Sequence, residues 1–590
     1  MNELVIRLAI AVGMALFYAL FAMNLAVILT WADRRQGSMI QDRIGPNRAV
    51  IFMPGKVAAV GALLPALAVA GGVLAWAFQA ETDTDSRGLV ALVFSQLAIF
   101  ATWVTVLAVA GRIRVRGARS SIDLFVRSLG DPRIFVWIGV GLHATTLIAA
   151  VATRGMSEGL LLEEIGLRSG PSVLAFWIAA GGLYAASGLA REERVGLRLL
   201  GLLHPAADGL KSIFKEDIVP ANVDRLVHGL APLISFFPAL IVMAVIPFGD
   251  KLCLGPNGEA AALWAPAAQV CAGKPFGLQL VDLDMGLLFF FAMGGTGIIG
   301  AALAGWASNN KYSLMGGLRA ASQMISYEVT MGLTLIGAIM IYGTLRIDLM
   351  VEWQAQNTWG IFVQPLAFIL FFTAAVAESK RIPFDLPEGE SELVAGYFTE
   401  YSGMKFAMFF FAEYVAIVTA SALMVAMFLG GWSLPFVDRD GLRVVIGQTV
   451  WFELALPQLV VILLGVGAFI AKTLVLCWLS LLIRWTLPRF RYDQLMNLGW
   501  RKLLPWSIVN ILVTAVVMTL LANIGGETTA KVLTLLGQLS ELLLAVLGLA
   551  ALFVAVPWLM KPVHHRRLIV TSSAKFAEMA GGTRLGDMGA

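Results

Sequence analysis

Long apolar runs separated by short charged loops make up most of this chain. Such runs occupy about 4–31, 57–79, 89–110, 134–152, 172–190, 226–248, 283–305, 323–345, 361–377, 403–430, 450–483, 503–523 and 534–559. Most are close to the ~20 residues a helix needs to cross a hydrocarbon core of about 30 Å. The pattern therefore predicts about thirteen transmembrane helices. One stretch, 199–217, behaves differently: Leu199, Leu203, Leu210, Ile213 and Phe214 fall near one helical face, with Asp208, Lys211, Lys215 and Glu216 elsewhere. It is too polar to span and reads as an amphipathic helix lying at the membrane interface. The expected fold class is all-α, a polytopic membrane helix bundle with one amphipathic interfacial helix.

Composition agrees. Of 590 residues, 58% are hydrophobic and 14% charged, with mean hydropathy +0.80, whereas about a quarter of residues in soluble domains are charged. The 59 glycines suit closely packed transmembrane helices. A net charge of +4 is modest, and the basic residues sit in short loops, which sets orientation and argues against nucleic acid as a partner. The loops at 41–48, 111–133, 191–198 and 484–502, and the tail with Lys561, His564, His565, Arg566 and Arg567, are basic, whereas 81–87 is mainly acidic. The positive-inside rule then puts the N-terminus outside and the C-terminus in the cytoplasm. The first run is too long for a signal-peptide core and stays as a span.

Three cysteines cannot hold an iron–sulfur cluster, and there is no CxxC, no GxGxxG after a strand and no P-loop, so nicotinamide or ATP chemistry belongs to partner chains. Cys253 and Cys271 share an outer loop where a periplasm allows a structural disulfide, and Cys477 reads as packing. His204 and His228 lack a helical partner at i and i+4, so no metal site is read.

Acidic side chains crowd residues 378–413: Glu378, Asp385, Glu388, Glu390, Glu392, Glu400 and Glu413 face only Lys380, Arg381 and Lys405. A charge at the bilayer centre costs roughly 2.5–3.5 kcal/mol on an insertion scale, so intramembrane ionisable residues are functional candidates. Glu413 lies about ten residues into its helix, roughly 15 Å deep. Glu328 also falls inside a helix, and Lys472 is the only charge between Glu453 and Arg484. These three read as parts of a proton relay, with mutual ion pairing that merely locks the bundle as the competing explanation. Pro383, Pro387 and Gly389 forbid a continuous helix, so the segment between the spans is a shaped loop that fixes its carboxylates and Arg381. In RIGPNR, Gly45 and Pro46 make a turn, and Arg43 and Arg48 suit lipid head groups.

Six motifs in one order, QDRIGPNR, ADGLKSIFKED, LAPLISFFPA, AGWASNNKYSLMGGLRAASQMISYE, the acidic segment and LPRFRYDQLMNLGW, resemble the H subunit of the proton-pumping NADH:quinone oxidoreductase, respiratory complex I. The resemblance implies an eight-helix core at the heel of a membrane arm. On this reading 1–48 holds the first core helix and the quinone loop, and 195–523 the main core; 49–194 is an inserted four-helix segment and 524–590 an extra helix with a cytoplasmic tail. It also implies quinone as substrate, with iron–sulfur clusters and flavin only on partner subunits. The implied partners are peripheral quinone-module subunits, neighbouring small membrane subunits and lipid, in a bacterial inner membrane. Carried over, Arg34, Arg43, Asp208, Arg381 and Asp385 border the quinone, while Glu328, Glu378, Glu390, Glu392, Tyr397, Glu400, Glu413 and Lys472 serve proton coupling. Asp33 departs from the family's usual Glu, which puts that contact in question. The competing assignments are the related membrane subunit of a membrane-bound hydrogenase or formate hydrogenlyase and, from another class, a stand-alone secondary ion transporter. The latter lacks support from any inverted repeat with broken helices.

Overall fold

The computed structural model describes residues 2–41, 46, 51–54, 194–197, 203–253, 275–446 and 449–524, with scattered positions at 57, 60, 61, 64, 68, 537–540, 542–544 and 546. Its contacts separate two units, 1–46 with 204–547, and 47–203 with 548–590. In the second, β1 (Ile51–Pro54) pairs antiparallel with β2 (Arg194–Leu197), Ile51 opposite Leu197. Residues 51–54 and 194–197 are thus neighbours.

The first unit is helical. In chain order it holds α1 (Asn2–Ile40), α2 (Leu203–Phe214), α3 (Arg225–Ile241), α4 (Gly286–Ala307), α5 (Lys311–Tyr342), α6 (Ile347–Gln356), α7 (Pro365–Glu378), α8 (Gly403–Phe428), α9 (Gln458–Thr486), α10 (Tyr492–Asn497) and α11 (Leu504–Ile524). Among the described residues seven helices are long and apolar enough to span a membrane, and α7 is apolar but shorter. These eight fall on eight of the thirteen expected apolar runs. The other five expected spans lie outside the described residues apart from scattered positions, as do the basic tail and Cys271.

Three boundaries differ from the hydropathy pattern. α1 runs on to Ile40, so Asp33 and Arg34 sit on a helix. α5 begins at Lys311 and not near 323, because Asn310 caps it, Oδ1 accepting from Tyr312 N at 3.0 Å. The run expected from 450 starts as strand β7 (Thr449–Ala455), paired with β6 (Gly441–Ile446), which pairs in turn with β5 (Val437–Asp438); the helix follows at Gln458. A second ribbon joins β3 (Gly249–Cys253) to β4 (Pro275–Leu278), and Arg439 ties the two ribbons through Asp250 at 2.6 Å. Cys253 is disulfide-bonded and Cys477 is free and buried.

α8 is the axis of the unit. Nearly every residue from Ala412 to Phe428 is buried, which follows from a helix that is apolar on all sides. α1, α3, α6, α7 and α9 pack around it. Glu413 is the only charged residue on this buried stretch.

Candidate functional site

The loop between α7 and α8 is folded inward, not solvated. Lys380 (φ 54°) and Val394 (φ 68°) hold left-handed conformations that cost on the order of 1–3 kcal/mol each for a non-glycine residue. Gly396 has φ 54°, and a Cβ there would lie 1.7 Å from the Pro387 carbonyl oxygen, so only glycine closes this turn. Contacts from α5 and from Phe490 pin the loop and the end of α7 before it. Gln323 on α5 donates to the carbonyls of Ala377 and Phe384, both at 2.8 Å. Phe490 N donates to Pro383 O at 3.0 Å, and the Phe490 ring stacks on Phe384. As a result Arg381 and Asp385 are buried.

Glu413 is the hub. Arg381 Nη2 lies 3.0 Å from its Oε2, Tyr397 OH donates to its Oε1 at 3.2 Å, and Lys380 Nζ donates to Tyr397 OH at 3.1 Å. The Arg381 guanidinium also lies over the rings of Tyr414 and Phe410, at 4.3 and 4.9 Å. Tyr414 OH then donates to Asp33 Oδ2 at 2.9 Å. Asp33 additionally accepts from Trp485 Nε1 at 2.8 Å and forms a close ion pair with Arg484. Asp33 thus has three partners, Tyr414, Trp485 and Arg484. Arg489 pairs with Asp385 at 3.0 Å. Ser379, Arg381, Tyr414, Ser480 and Arg484 line a small cleft beside this network.

Electrostatics in the loop follow from this burial. Burial pushes the Asp385 carboxyl above its usual range, the Glu413 charge adds to that, and Arg489 only partly offsets it. Glu388 is pushed up to about 8 by burial and then by Glu413 and Asp385. Burial lowers Lys380. A carboxyl raised to about 8 exchanges protons near neutrality, which an ordinary carboxylate does not.

The other expected residues fall into separate places. Arg34 on α1 pairs with Asp208 on α2 at 2.6 Å, both half-exposed. Glu328 packs against Gly295 of α4, and its charge acts on Glu378. Glu400 Oε1 accepts from Asn310 Nδ2 at 2.8 Å. Glu392 pairs with Arg319 at 2.7 Å with its side chain half-exposed. Lys472 does not join Glu413 or Glu328; its Nζ donates to the carbonyls of Leu429, Gly431 and Ser433 beyond the far end of α8. Arg43 and the Glu390 side chain lie outside the described residues. The sequence pattern did not single out Tyr414, Arg484, Trp485 and Arg489, and it named Glu388 only as one acid in a run. The available signal was charge balance: a loop so acidic needs counter-ions, and 484–491 carries Arg484, Arg489 and Arg491.

The family model described as NADH dehydrogenase matches residues 190–515. An NADH-quinone oxidoreductase H subunit of Cytophaga hutchinsonii is 41% identical over 326 residues, 55% of this chain and 86% of the relative. An NADH-quinone oxidoreductase H subunit of Geobacter sulfurreducens is 45% identical over 320 residues, 54% and 83% of the two chains. The corresponding H subunit of Flavobacterium johnsoniae is 41% identical over 334 residues, 55% and 86%. The chain belongs to the family of NADH-quinone oxidoreductase H subunits, the membrane-embedded H subunits of complex I.

Proposed function

We propose that this chain forms the quinone entrance of its complex and couples quinone reduction to proton translocation. Quinone enters past Arg34 and Asp208, with Arg43 on the following loop, and its head approaches Arg381 and Asp385. Electrons come from a cluster on a peripheral partner subunit, with flavin further upstream. The carboxylates Glu378, Glu390, Glu392, Glu400, Glu413 and Glu328, with Tyr397, carry the resulting change in charge and protonation toward the pumping subunits. The loop then lies on the cytoplasmic side of a bacterial inner membrane, with the N-terminus outside and the C-terminus inside. Residues 49–194 and 524–590 are additions to the core.

The observation that carries this reading is the placing of Glu413. It is buried at the inner edge of the loop, bound by Arg381 and Tyr397 on the loop side, and continues along α8 into the bundle. A proton or electron arriving near Asp385 changes the field at Arg381, and Arg381 holds Glu413. In the intact complex, Glu413→Gln is expected to lower quinone reductase turnover or its proton coupling by about tenfold or more, the usual scale for a positioned proton-transfer group. Full coupled turnover in that variant would refute the relay.

A further inference from the structure

An ammonium inside a membrane span demands a reason, and the surroundings of Lys472 supply one that the relay does not. Its three N–H groups have three carbonyl partners, Leu429 at 2.8 Å, Gly431 at 3.0 Å and Ser433 at 2.6 Å. The Trp359 ring centroid lies 4.0 Å from the same nitrogen. Among the described residues no carboxylate pairs with it. The carbonyls converge because Gly430 (φ 68°) and Gly431 (φ 51°) turn the chain back just after α8 ends. A Cβ at Gly430 would strike Trp359, and one at Gly431 would strike Val351. Gln354 on α6 closes the other side, its Oε1 accepting from Gly430 N at 3.0 Å and Gly360 N at 2.9 Å. Thr358, next to Trp359, is held in turn by Ser540 at 2.9 Å.

This is a cation locked onto the negative end of a helix dipole. That helix is α8, and Glu413 lies sixteen residues back along it, roughly 24 Å at 1.5 Å per residue. We propose that Lys472 is a positioning residue: it fixes the far end of α8 and so sets the depth and rotation at which Glu413 meets Arg381 and Tyr397. It carries no proton. This rests on the reading of Glu413 as part of the coupling path.

The two roles separate by substitution in the intact complex. Arginine keeps the charge but does not release a proton, and glutamine keeps donors without the charge; methionine keeps only the length. If Lys472 positions α8, K472R retains most of the coupled turnover and K472Q, with donors but no charge, an intermediate share. K472M then loses about tenfold to a hundredfold, the scale on which a displacement of roughly 1 Å acts. Equal loss in all three assembled variants would mean that Lys472 carries a proton, and normal turnover in K472M would mean that it does nothing; either overturns the proposal. If K472R does not assemble, K472Q against K472M decides. A second readout does not depend on catalysis. The amides of Leu429 and Gly431, both bonded to Val425 O, should exchange with deuterium faster in K472M, and unchanged protection refutes the clamp whatever Glu413 does.

Discussion

The bond between Tyr414 and Asp33 joins the first helix to the helix that carries Glu413, and its strength can be isolated. Asp33→Ala removes the carboxylate that Tyr414, Trp485 and Arg484 all address. Breaking a fully buried pair costs about 3–5 kcal/mol. The Arg484 side chain keeps 21% of its exposure, which favours the lower end. Tyr414→Phe removes only the hydroxyl, which donates to Asp33 and accepts from Arg484 Nη1 at 3.4 Å, and leaves the ring under Arg381; the bond to the charged Asp33 is worth about 1.5–3 kcal/mol. Each single variant forfeits the shared bond. The double variant should therefore cost less than the sum of the two by about 1.5–3 kcal/mol, roughly tenfold to a hundredfold in an equilibrium constant. Unfolding of the purified chain in mixed micelles titrated with sodium dodecyl sulfate, followed by circular dichroism, measures the four corners of the cycle. Losses that add within about 0.5 kcal/mol would refute a direct coupling between the two residues.

Two further outcomes follow from the loop. Gly396→Ala should destabilise by on the order of 4 kcal/mol, because the new methyl meets the Pro387 carbonyl; Gly297→Ala on α4, with nothing near it, should be close to neutral. The yield of assembled complex in membranes distinguishes them, and equal yields would contradict the close approach. Glu388 has its folded value raised to about 8 from about 4.3 when unfolded, so its stabilisation is complete below the lower value and is lost as pH rises through the upper one. The thermal midpoint of Glu388→Gln relative to the unaltered chain should then climb between about pH 5 and about pH 9, and a flat or falling difference would exclude the burial of that carboxyl.

Hydropathy located the seven helices long enough to span and the shorter α7, because each apolar run exceeds or approaches the bilayer thickness, a condition that tolerates little variation. It misplaced the start of α5 because Lys311, Arg319 and Gln323 look like loop residues until their partners are known, and those partners, Glu392 for Arg319 and two carbonyls for Gln323, are 54 to 73 positions away in sequence. It also read the strand β7 as part of a span, since Val450, Trp451 and Phe452 are as apolar as any helix. The acidic loop was legible as a site because uncompensated charge is rare near lipid. Its counter-ions were not. Arg484 and Arg489 obey the positive-inside rule whether or not they touch a carboxylate, so the same two residues satisfy an orientation signal and hide a structural one. Lys472 shows the converse: a lone intramembrane cation suggests a relay by composition, yet three carbonyls satisfy it.

The ties at Asp33 also set an order of events during synthesis. Its partners Tyr414, Arg484 and Trp485 are 381, 451 and 452 residues further along the chain. At roughly 5–20 residues per second, α1 waits on the order of 20–90 s in the membrane before they exist. Through that interval its carboxylate has no native partner, and the whole of 49–194 is made meanwhile. β1 and β2 pair residues 51–54 with 194–197. That pairing short-circuits the chain between them, so the loop that must close before Asp33 meets its partners is shorter in effect than its residue count.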